Sequence, residues 1–143
     1  MDELDERLVA ELTANARLPV ATLAKRLGVA RSTVQLRLER LETSGAIAGY
    51  TTRLGAPARR GAITATALIQ VEPRATAGVL QRLKPLRQIT EAHTTSGRFD
   101  LILRLTATST EELDATLDTI GALPGVRGSE SLIHLSTKID RGA

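Results

Sequence analysis

Apolar residues recur every three or four positions through the first third of the chain and every second position through much of the rest. Leu4, Leu8 and Leu12 form one repeat over residues 3–14; Val20, Leu23, Ala24 and Leu27 form a short second stripe; Val34, Leu38 and Leu41 form a third. At roughly 100° per residue the third set spans an arc of about 60°, and Leu36 points nearly opposite it. Three helices are predicted. Gly28-Val29 is a tight joint between the second and third, because glycine readily takes the left-handed conformation that follows a helix end. "TSGAI" stops the third helix at Gly45. "AIAGYTTRL", residues 46–54, then predicts a short strand from its β-branched and aromatic residues between glycines.

"GAPARRGA", residues 55–62, is rich in breakers and reads as a linker between a domain at 1–54 and another at 63–143. Beyond it "ITATALIQV" alternates, with Ile63, Ala65, Ala67, Ile69 and Val71 on one face. "AGVLQRLKPL" repeats as a helix, and "QITEAHTT" and "FDLILRLTA" are two strands joined through "SGR", whose glycine suits a hairpin. "STEELDATLDTIGAL" opens with Ser109 and Glu112 at capping-box spacing, and "VRGSESLIHLST" is a final strand. The order βαββαβ predicts a ferredoxin-like domain, with both helices on one face of a four-stranded antiparallel sheet. The other face needs a cover, and a second copy of the chain is the expected one.

Composition narrows the chemistry. Cysteine is absent, which excludes disulfides and thiolate metal sites; His93 and His134 are too few for a metal cluster, and no cofactor is implied. The acidic start "MDELDER" does not resemble a secretory signal, and no apolar run is long enough to span a membrane, so a cytoplasmic location is expected. Net charge is only +3, but residues 12–60 hold nine Arg and Lys against two Glu. Such a patch suits a polyanion. Tyr50 and Phe99 are the only aromatic residues, too few for single-strand stacking platforms, so duplex DNA is the better partner.

Helix, glycine joint and helix over residues 18–42 read either as mere packing or as a helix-turn-helix. The basic surround and the outward hydroxyl, amide and guanidinium groups favour the second, which with the strand at 46–54 is a winged-type helix-turn-helix, and the chain as a whole is of α+β class. Arg31, Ser32, Thr33, Gln35 and Leu36 would then lie nearest the bases, with Arg37 and Arg40 nearer the backbone. The stretch from "LDERL" to "LAKRLGVARSTVQLRLERLE" and "GAIAGY" resembles the N-terminal domain of the Lrp/AsnC family of transcription regulators. "SGRFDLILRL" and "LPGVRGSESLIHL" are similar to that family's effector-binding domain. Ala30 departs from the family's frequent capping serine, and Arg98 stands where acidic or polar residues are also common.

By itself "TSGRFD" is a hairpin turn. The resemblance implies an effector site, with an amino acid as the usual ligand, at Gly97, Arg98, Asp100 and Ser131, with His93 either lining it or sitting in the sheet. It also implies a homodimer that assembles further, to tetramers or octamers. Two other classes stand beside this reading: an architectural DNA protein without effector, and an enzyme like the related siroheme decarboxylases. The enzyme lacks support, because no histidine-rich cluster, paired carboxylates or nucleophile-base pair stands out.

Overall fold

The structure, a computed structural model, describes residues 1–142. The chain forms two compact units, Met1–Arg53 and Leu54–Ala143. The first is built from α1 (Glu3–Ala14), α2 (Val20–Leu27) and α3 (Arg31–Thr43). Asp2 starts α1 through a reciprocal capping box: the Asp5 N–H donates to the Asp2 carboxylate at 3.0 Å, and the Asp2 N–H donates to Asp5 at 3.2 Å. Glu3, Asp5 and Glu6 place negative charge in the first turn, where the helix dipole favours it. Gly28 ends α2 in the left-handed conformation, φ +70°, and turns the chain into α3 within three residues. Leu8, Leu23, Leu27, Val34 and Leu41 bury their side chains in a shared core, each such burial stabilising by about 1.5–3 kcal/mol.

The strand expected at residues 46–54 does not form. No regular element lies between Thr43 and Ala56; instead Ile47 packs on the first core, its N–H donating to the Leu41 carbonyl at 2.9 Å. β-branched residues support a strand only when a neighbour completes the ladder, and this unit is entirely helical. The helix-turn-helix therefore has no wing strand among the described residues. Residues 55–62 are exposed, with one 3-10 turn at Ala56–Arg59.

The second unit runs β1 (Ile63–Val71), α4 (Thr76–Leu83), β2 (Ile89–Thr94), β3 (Leu101–Ala107), α5 (Thr110–Gly121) and β4 (Val126–Ile133). The sheet order is β2-β3-β1-β4, all antiparallel, which is the ferredoxin-like arrangement. Ala65, Ala67, Ile69 and Val71 of β1 alternate inward with Leu101, Leu103, Leu105 and Ala107 of β3. Val79 and Leu83 of α4 and Leu113 and Ile120 of α5 close over that one face. Ser109 caps α5 by accepting the Glu112 N–H at 3.1 Å, but the Glu112 carboxylate reaches past it to the N–H and hydroxyl of Thr108 at 2.8 and 2.6 Å. Helices cover only one side. By register the opposite face carries Thr66, Leu68, Ile102, Arg104, Glu130 and Leu132.

Candidate functional site

On α3, burial divides the residues as the apolar stripe requires. Val34 and Leu41 are buried, whereas Arg31, Ser32, Gln35, Glu39 and Arg40 are exposed and Leu36 keeps 54% of its surface open. Thr33 is half-buried beside them. Ala30 sits at the N-cap with extended backbone and supplies no side-chain bond, and Ser32 does not replace it. Arg37, expected near a DNA backbone, is half-buried on the side of α3 that meets the start of α1. Its guanidinium is held by the carboxylates of Asp2 and of Asp5, the latter at 3.3 Å, so it ties the start of α1 to α3. The pairing holds the Asp2 carboxyl down at about 2 through the Arg37 hydrogen bond and then the Asp5 N–H, and it raises the arginine further. The acidic residues flanking the first helix thus consume one of the cations that composition assigns to a polyanion.

In the second unit, the end of β1 and the starts of β3 and β4 meet around an open cleft of about 350 Å³. Gln70, Val71, Glu72, Pro73, Arg74, Thr76, Arg98, Asp100 and Arg127 line it. Asp100 is fixed twice: its N–H donates to the Ile69 carbonyl at 2.8 Å, and its carboxylate accepts the Val71 N–H at 2.8 Å. The preceding loop is closed by the Thr95 N–H on the Asp100 carbonyl, with the Thr95 hydroxyl on the Phe99 carbonyl. Gly97 has φ +106°, a conformation that favours glycine. The Gln70 amide donates to the Arg98 carbonyl at 3.0 Å, and the Arg98 guanidinium lies 5.1 Å from the centre of the Phe99 ring. Arg98 and Asp100 are therefore brought together.

Gly97 shapes the loop but is not part of the cleft lining. Ser131 is separate, because the antiparallel register sets it opposite Ala67 in the middle of β1, whereas the cleft lies where Val71 meets Val126. His93 also lies elsewhere, on β2 opposite Ile102 and 3.8 Å from Glu91. His134 bridges the hydroxyls of Thr64 and Thr66 at 3.1 and 2.8 Å. Gln70, Glu72, Arg74 and Arg127 were not singled out by motif. The sheet order would have found them, since β1 pairs with both β3 and β4 and their facing ends must share a rim.

Residues 1–42 match the AsnC-type helix-turn-helix domain, and residues 64–143 match the Lrp/AsnC ligand binding domain. The chain belongs to the Lrp/AsnC family. It is thus a transcriptional regulator of Lrp/AsnC type, joining a helix-turn-helix to a ligand-binding domain. The HTH-type transcriptional regulator FL11 of Pyrococcus abyssi is 32% identical to it, covering 96% of this chain and 91% of its own. Escherichia coli AsnC superposes with a TM-score of 0.89 at 26% identity, over 100% of this chain and 97% of AsnC. The leucine response regulatory protein LrpA of Mycobacterium tuberculosis follows at 0.84 and 28%, over 100% and 98%. The residues that match the ligand binding domain contain the one-sided sheet and the cleft beside "SGRFD". No helix among the described residues is long and apolar enough to cross a membrane.

Proposed function

We propose that this regulator reads duplex DNA through α3 and that an amino acid, bound in the cleft around Arg98 and Asp100, biases its assembly or its grip on DNA. The observation that carries the first part is the exposed row on α3 opposite its buried stripe. Arg31, Ser32, Thr33, Gln35 and Leu36 occupy the N-terminal half, the part of a recognition helix that enters the major groove, and Arg40 follows toward the backbone. Arg37 supports that surface by anchoring α3 to α1. The open sheet face joins two copies in the cytoplasm, giving two recognition helices for a roughly palindromic site. Residues 1–54 bind DNA, 55–62 link, and 63–143 bind ligand and assemble.

The cleft supports an amino acid because it offers carboxylates and guanidiniums within one rim, as a zwitterion requires. A relative named for its leucine response points the same way. Such a ligand acts only through its differential affinity for two states of the protein. The test is a titration of duplex DNA at several salt concentrations. Arg40→Ala should weaken binding to every sequence and lower the salt slope by about 1, while Gln35→Ala should alter sequence preference. Unchanged affinity, slope and preference in both variants would rule out this docking face.

A further inference from the structure

The charge inventory of the cleft points to an acidic ligand, and we infer that it selects an amino acid with a second carboxylate, such as aspartate or glutamate. This deepens the effector-site reading and rests on it. Arg74, Arg98 and Arg127 contribute three guanidiniums, none of them in an ion pair among the described residues, although Glu72 and Asp100 line the same cleft. Arginines left unpaired around a concavity hold their donors ready for bidentate carboxylate recognition. Arg74 adds a second observation: it is the one non-glycine among the described residues with positive φ, at +65°. Such backbone is sparsely populated for a long side chain and concentrates at ligand clamps.

Pairing decides among amino acids. One Asp100 oxygen already accepts the Val71 N–H, which leaves its other oxygen and Glu72 to receive an α-ammonium. An α-carboxylate takes one guanidinium, with room for a second. A neutral side chain such as that of leucine leaves the remaining arginine facing apolar atoms, and a basic one adds like charge. A side-chain carboxylate completes the set: the ligand's ammonium and three guanidiniums stand against its two carboxylates, Glu72 and Asp100. Small-molecule clefts run from about 300 to 1,000 Å³, so the 350 Å³ here suits a ligand of this size.

The experiment is calorimetric titration of the full chain with L-glutamate, L-aspartate, L-glutamine, L-asparagine, L-leucine and L-lysine, repeated on Arg127→Gln, Arg98→Gln and Asp100→Asn. Arg127 is exposed, and circular dichroism of each variant checks its fold. We expect an acidic amino acid to bind at least about tenfold more tightly than its amide, the ratio typical of losing one charge-assisted hydrogen bond. Arg127→Gln or Arg98→Gln should close that gap. Tighter binding of a neutral amino acid, lost in Asp100→Asn, would overturn the acidic preference and leave the effector site standing. Acidic binding indifferent to all three variants would overturn the site itself, as would the absence of binding by any of the six.

Discussion

At the scale of single residues, the unit that faces DNA contains one avoidable weakness and one hidden commitment. Ala30 leaves the first turn of α3 without a side-chain acceptor while its backbone already has the extended conformation of a cap. Ala30→Ser should stabilise the protein by about 0.5–2 kcal/mol, read from chemical denaturation. Arg37→Ala should lower the melting temperature, because Asp2 and Asp5 lose their shared cation. Two carboxylates carry an acid-sensitive part of the stability. Asp2 is held at about 2 by Arg37 and the Asp5 N–H, and Glu112 at about 2 by the Thr108 hydroxyl, the Thr108 N–H and the Gln88 amide, against ordinary values of 3.8 and 4.5. Because folding lowers both, their contribution is complete above the ordinary values and is lost as pH falls through about 2. Asp2→Asn and Glu112→Gln should therefore flatten the fall of melting temperature between those limits. The Arg37 pairing was illegible in the sequence, since its partners lie 35 and 32 positions away and nothing local marks them.

At the scale of elements, periodicity was a sufficient guide wherever an element buries one face. Among the described residues the five helices and the strands β1 and β3 stand where the apolar spacing puts them, because each turns that spacing toward a core, whereas β2 and β4 are mostly exposed and were marked by strand-like composition between turns. Propensity without a pairing partner misled at residues 46–54, where a strand-like composition meets no neighbouring ladder. For Ser131, placed by likeness to relatives, the β1–β4 register sets the residue opposite Ala67, away from this cleft. The β4 start also carries a tight approach. A Cβ on Gly125 would stand 2.8 Å from the Ala75 Cβ and 3.2 Å from Val79, at φ +94°. Gly125→Ala should destabilise the ferredoxin-like unit more strongly than Gly97→Ala, whose Cβ would meet nothing within 4 Å although its φ is also positive. Paired denaturation curves make the comparison.

For the whole molecule, the one-sided sheet sets the expected assembly. Leu68, Ile102 and Leu132 share the uncovered face with Thr66, Glu91, Arg104 and Glu130, so apolar residues and charges alternate across it. A carboxylate at position 132 would be buried two residues from Glu130 on the same face, so Leu132→Glu should shift a dimer toward monomer in light scattering while leaving the inward core intact. The need for a cover was legible from strand alternation; the identity of the cover was not, because one chain cannot display what it meets. The scarcity of aromatic rings has an optical consequence. Tyr50, half exposed, lies in the helical unit, Phe99 lies beneath Arg98 in the other, and there is no tryptophan. Ultraviolet emission from the unlabelled protein is then a one-channel signal from the DNA-facing unit, undiluted by the sheet. Calorimetry registers heat from both. A melt followed by both methods can separate the loss of one unit from the loss of the other without attaching a dye.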